Sequence, residues 1–216
     1  MQKMRNRAQL HFPTVLLTLI SIIQALALEL LWSKVVESEF LFSFNLQSVI
    51  GWGMVMAAFF GILQIWVLYT TMVMGFVWQP LLRDSIVPFI IGIQEFMLIT
   101  LIGVEFSTLW LYVLASVFIS AHWVSHNSLR RARNDPENEA FFKEVKPATL
   151  RDFWPPIAIV MMLVIFGIAI DITDQRSWMP LLAIVCTNTI LIGQIYAMSR
   201  LWGSMMGLSE TERKEN

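Results

Sequence analysis

The chain alternates long apolar runs with short charged connections. Six runs stand out: Phe12–Trp32, Val49–Met74, Ile86–Val104, Phe106–Val124, Phe153–Ile172 and Trp178–Met198. Crossing the ~30 Å hydrocarbon core of a bilayer takes about 20 residues of α-helix. Lipid offers backbone groups no partners, so each run is expected to be a helix that satisfies its own hydrogen bonds. The expected fold is an all-α integral membrane protein with six transmembrane helices, paired as three helical hairpins in a single transmembrane domain. The second run stays apolar to Trp78 and would be about 45 Å long at ~1.5 Å per residue. It must tilt or end early, and Gly75 and Pro80 favour a break before a turn at Arg83 and Asp84. Between 127 and 152 lies the one sizeable polar segment, with room for a short helix over Asn138–Val145 closed by Pro147. It is too short to be a separate domain. A polar tail, 209–216, follows the last run.

Charge sets the orientation. Thirteen of the fifteen Lys and Arg residues fall on one side, among them Lys3, Arg5, Arg83, Arg130, Arg131 and Arg200; only Lys34 and Arg176 fall on the other. Basic residues concentrate on the cytoplasmic side, so both termini are expected in the cytoplasm. Trp32, Trp52, Trp110 and Trp178 lie near the outer boundary and Trp123, Trp154 and Trp202 near the inner one, where aromatic belts are expected. The first run has a second reading. Basic residues, an apolar stretch and Ala25-Leu26-Ala27 are laid out like a signal peptide with its cleavage site, although the apolar run continues through Trp32.

Composition agrees with the pattern. The chain is 56% hydrophobic and 14% charged, against about 25% charged residues in soluble domains, and its mean hydropathy is +0.64. A net charge of −1 gives no sign of a nucleic-acid partner. The single cysteine, Cys186, cannot form an intrachain disulfide. No phosphate-binding loop, potassium-filter sequence or catalytic motif is present, so no cofactor is expected and an enzyme is the less favoured class. The lipid bilayer is the expected surrounding, with a bacterial inner membrane as the default. The small size favours a homo-oligomer if the chain forms a pore.

Three sets of residues carry candidate chemistry. The first centres on Glu95, halfway along the third run. A carboxylate at that depth costs about 2.5–3.5 kcal/mol on insertion scales, and no basic residue lies at matching depth to pair with it. A protonated or cation-bound carboxyl, or an amide partner, is expected instead. Gln24, Gln64, Gln94 and Gln194 are the amides that would line an ion pathway with it. The second set is Glu29, Glu105 and Asp171, acids at the outer ends of the odd-numbered helices, which would form an outer vestibule attracting cations. Each follows a proline near the inner start of its helix, Pro13, Pro88 or Pro155, a pattern that boundary chemistry also explains. The third is His122 and His126, one turn apart, which could hold a metal or haem iron but have no matching ligands on a facing helix.

Small and polar residues recur at helical spacing: Thr14, Thr18, Ser21, Ala25 and Glu29 in the first helix, Gly53, Ala57, Gln64 and Thr71 in the second, Pro88, Gly92 and Gly103 in the third, and Ala183, Thr187 and Gln194 in the sixth. Their expected role is close helix packing. The residues therefore point first to a small channel or carrier for protons or small cations. A structural or accessory subunit of a membrane complex comes second, and a haem- or metal-binding redox protein third.

Overall fold

A computed structural model describes residues 2–77, 81–139, 142, 147–173 and 178–205. Six long helices make up most of it: α1 (Gln2–Glu37), α2 (Leu46–Gly75), α3 (Leu82–Thr100), α4 (Ser107–Ala132), α5 (Trp154–Thr173) and α6 (Met179–Met205). Five of them are long and apolar enough to cross a membrane. The exception is α3, whose 19 residues include Arg83, Asp84 and Glu95. The chain is an all-α polytopic membrane protein. The polar tail 209–216, Pro80, Arg176 and most of the short helix expected over 138–145 lie outside the described residues.

Several helices extend beyond their apolar runs. α1 begins well before Phe12, which places Pro13 inside the helix, and Pro88 is likewise internal to α3. Each proline removes one intrahelical hydrogen bond. Membrane helices tolerate this where neighbouring groups or local adjustment satisfy the freed carbonyl. Of Pro13, Pro88 and Pro155, Pro155 alone lies at its helix start. α4 continues past Val124 to Ala132 and carries Arg130 and Arg131 in its last turn, where cations complement the helix dipole. α2 runs unbroken through all 30 residues to Gly75.

The helices pack in the cyclic order α1–α2–α6–α5–α4–α3, and α3 closes the ring against α1. A further contact joins α2 to α3. Each sequential pair forms a hairpin, but the joints between hairpins differ. Ile23 and Gln24 of α1 meet Gly92 and Glu95 of α3, while Gly53 and Gln64 of α2 meet Ile184 and Leu191 of α6. The third joint, α4 to α5, is antiparallel: Thr108 meets Asp171 near one end and His126 meets Phe153 near the other.

Two apolar clusters fill the bundle, named outer and inner for the sides that the charge bias predicts. The outer one contains Ala27, Leu31, Met54, Leu98, Ile102, Trp110 and Leu163. The inner one contains Leu16, Ile20, Ile65, Tyr69, Val87 and Ile91. Trp110 departs from the belt expectation. It is fully buried, because the segment from Ile102 to Val104 tucks into the bundle and Trp110 packs in the outer cluster. Trp32, Trp123, Trp154 and Trp178 are exposed.

The polar stripe of α1 also departs from expectation. Thr14, Thr18, Ser21, Ala25 and Glu29 all face outward, and the buried face is Leu16, Ile20, Ile23, Gln24, Ala27 and Leu31. Hydroxyls explain why this is tolerable: Thr18 donates to the Thr14 carbonyl at 2.9 Å, a local bond that needs no neighbouring helix. The other stripes do pack. Gly53 is pressed against Ile184, with Asn188 donating to the Gly53 carbonyl at 3.0 Å.

Gly53 and Gly61 therefore make a matched pair for testing the α2–α6 joint. A Cβ at Gly53 would collide with Ile184, whereas one at Gly61 meets nothing within 4 Å. Gly53→Ala should cost about 1–3 kcal/mol of stability in detergent by overpacking. Gly61→Ala should be neutral or stabilising by up to about 1 kcal/mol. Unfolding curves of both variants check the contrast, and equal effects would contradict the joint.

Candidate functional site

Glu95 is buried, with 3% of its surface exposed, and so is Gln24 at 4%. The Gln24 side-chain amide donates from Nε2 to Glu95 Oε2 at 2.9 Å. Close approach of α1 and α3 makes this bond reachable. Gly92, one turn before Glu95, leaves room for Ile23; a Cβ there would stand 2.6 Å from Ile23 Cγ2. Among the described residues, Glu95 Oε1 and Gln24 Oε1 have no hydrogen-bond partner. The carboxyl group is thus held through one oxygen by a neutral donor, with its second oxygen unpaired. It lies between the two apolar clusters, with Ile91 in the inner one and Leu98 in the outer one.

Below it, toward the inner ends, a second carboxylate lies on the same face of α3. Asp84 is about three turns from Glu95 and is 6% exposed. Its Oδ2 accepts from the Leu81 backbone N–H at 3.0 Å, which caps α3. Its Oδ1 accepts from Arg131 Nη2 at 2.7 Å, which ties α3 to the last turn of α4. Asn138 fixes the same end of the bundle. It is buried, accepts from the Val77 N–H at 2.6 Å and donates to the carbonyls of Val77 and Ala132.

The amides do not converge on Glu95. Only Gln24 reaches it. Gln94 points to α4, donating to Ser116 at 3.0 Å and Ser120 at 3.1 Å. Gln64 donates to the Leu191 carbonyl at 2.7 Å across the α2–α6 joint. Gln64 and Gln194 line a cavity of about 390 Å³ between α2, α4 and α6, together with Thr71, Ser125 and otherwise mostly apolar side chains. A second hollow of about 400 Å³ lies on the other side of the α2–α6 pair, and Gln64, Thr71, Met198 and Trp202 border both. α2 and α6 are therefore close near Gly53 and splayed toward their inner ends.

The outer acids are exposed; Glu105 and Asp171 lie at the same end of the adjacent helices α4 and α5, and Glu29 lies apart on α1. Glu29 is on the outward face of α1, Glu105 is in the turn before α4, and Asp171 accepts from Thr108 at 2.8 Å. The histidines have separate surroundings. His122 Nδ1 lies 2.9 Å from the Phe118 carbonyl, and the ring borders the 390 Å³ cavity. His126 packs edge-on against Phe153 with centroids 5.0 Å apart. Among the described residues, no group of three or more His, Cys, Asp or Glu side chains is placed to hold a metal ion.

Sequence reasoning missed three contributors. Asp84 looked like a turn residue, although its spacing from Glu95 puts both on one helix face. Arg131 lay beyond the expected end of α4. Tyr69 sat in an apolar run with no visible partner, yet it is buried at 2% exposure in the inner cluster.

The Gln24–Glu95 bond can be tested by removing one partner and then both. Gln24→Leu leaves the carboxyl without its donor and should cost about 1–3 kcal/mol. The double variant Gln24→Leu with Glu95→Leu should recover most of that loss, because replacing both members removes the unpaired polar atoms. Denaturant unfolding in detergent measures both; a single variant as stable as the wild type would show the bond to be unimportant. No family model, curated protein or solved structure matches the chain.

Proposed function

We propose that the protein is a small transporter that carries protons through a site centred on Glu95. One observation carries this reading: a buried carboxyl group with one oxygen held by a neutral amide and the other unpaired. Buried ionisable groups in membrane helices usually mark ion or proton pathways. A carboxylate kept only for structure would normally be paired with a base, as Asp84 is with Arg131.

The surroundings favour a proton over a metal cation. Hard cations gather about six or more oxygen ligands. Glu95 Oε1 and Gln24 Oε1 offer two unpaired oxygens at this point. A proton needs one acceptor. The site lies within one chain, between α1 and α3, so it does not depend on the homo-oligomer that the chain's small size suggests. The charge bias supports placing both termini in the cytoplasm, with a bacterial inner membrane as the default location. On this reading, protons would enter or leave on the cytoplasmic side past Asp84 and Arg131.

Purified protein in liposomes carrying a pH-sensitive dye tests the proposal. An imposed pH gradient with a potassium/valinomycin shunt should collapse faster than in empty liposomes. Glu95→Gln keeps the size and hydrogen-bonding capacity of the side chain and should reduce that flux by about two orders of magnitude. Wild-type flux in the variant would remove Glu95 from the mechanism. Absence of flux in the wild type would favour the accessory-subunit reading.

A further inference from the structure

Tyr69 carries a buried hydroxyl that the proposed site leaves unused. We propose that Tyr69 relays protons between Glu95 and the inner end of α3, where the Asp84–Arg131 pair lies. This inference rests on the reading of Glu95 as a proton site.

Position carries the argument. Tyr69 packs in the inner cluster with Leu16, Val87 and Ile91. Val87 and Ile91 are the α3 residues between Asp84 and Glu95, so the phenol of α2 lies beside the stretch that separates the two carboxylates. Its hydroxyl has no hydrogen-bond partner among the described residues, and neither do Glu95 Oε1 and Arg131 Nη1. Three buried, unpaired polar atoms thus follow one another from mid-bundle toward the inner end. Unpaired polar atoms in a low-dielectric interior are costly, and water bridging is the usual way such groups are satisfied. Asp84, at the inner end of that stretch, is bonded to Arg131 of α4.

The relay has a direction. On the outer side of Glu95 come Leu98, Ile99, Ile102, Leu111 and Trp110, all buried. The Trp110 Nε1–H among them is a donor that cannot accept a proton, and the buried Ser107 hydroxyl farther out donates to the Val104 carbonyl at 2.7 Å. On the inner side the phenol can both donate and accept. Its O–H bond breaks as the proton passes to Glu95 Oε1, directly or through a bridging water. Its oxygen takes a replacement from a hydronium ion arriving on the Asp84 side. Tyr69 is neutral before and after, and the net change is one proton moved from the inner aqueous phase to Glu95.

The test reads proton exchange at Glu95 directly. The carboxyl stretch of protonated Glu95 is identified by infrared difference spectroscopy as the band lost in Glu95→Gln. Its deuterium shift after transfer to D₂O is then timed. Tyr69→Phe keeps the ring in its packing and removes one oxygen; exchange should slow by about ten-fold or more. A merely structural hydroxyl would leave the rate unchanged or raise it, and either result overturns the relay. If Tyr69→Phe does not fold, uniform fluorotyrosine labelling of the wild-type sequence gives a second readout. The chain has only three tyrosines, Tyr69, Tyr112 and Tyr196, and a more acidic phenol at Tyr69 should change the rate. An unaltered rate overturns the proposal, as does the lack of a protonated-carboxyl band at any pH. Infrared exchange does not require net transport, so failure of the transport reading appears separately, as unchanged flux in Glu95→Gln.

Discussion

The arrangement of the bundle follows from placing one carboxyl group where water cannot reach it. Glu95 has to be met by a polar partner, and the partner is Gln24 on a different helix. Side chains as short as these meet only if their backbones are close, so α1 and α3 must touch near this level. Gly92 permits that approach by leaving space for Ile23. A parallel contact between α1 and α3 then brings the ends of the first and second hairpins together. The apolar core is consequently split, with one cluster on each side of the polar level.

The two halves of the bundle differ in construction. The outer half is closed by large apolar side chains, including a fully buried Trp110, and by the close Gly53–Ile184 contact. The inner half is held by polar contacts between elements: Asp84 with Arg131, and Asn138 with Val77 and Ala132. In the same half, α2 and α6 separate around two hollows. Dense apolar packing resists displacement, whereas splayed helices have fewer contacts to lose. Movement that changes access to Glu95 therefore costs less on the inner side.

The sequence was most informative where lipid leaves little choice. Apolar length marked the six helices, because a spanning segment must be a helix. Glu95 was legible for the same reason, as a costly exception to an apolar run. Pairwise geometry was much less legible. Helical spacing put Thr14, Thr18, Ser21, Ala25 and Glu29 on one face but did not say whether that face points inward, and it points outward. It placed four glutamines near mid-depth without saying which would meet Glu95, and only Gln24 does. Trp110 near the end of a run looked like a boundary residue, because nothing local shows that the preceding segment folds back into the bundle. Such outcomes depend on helix rotation and neighbour identity, which arise from contacts between segments far apart in the chain.

The identity of the Glu95 partner also bears on function. A lysine or arginine would stabilise the ionised carboxylate and oppose its protonation. A leucine would leave both protonation states without a partner. Glutamine differs because its amide has both a donor and an acceptor end. As placed, Nε2 donates to Glu95 Oε2, a bond that an ionised carboxylate accepts. After protonation the carboxylic O–H can donate instead, and a half-turn of the amide presents Oε1 to accept it. Gln24 can therefore hold Glu95 in either state with little change in backbone position. The Asp84–Arg131 pair contrasts with this, since Arg131 can donate but cannot accept. Within a few turns of α3, one carboxylate is held by a cation and the other has a neutral partner that suits both protonation states. A site that must gain and lose a proton without disturbing its surroundings needs the second arrangement.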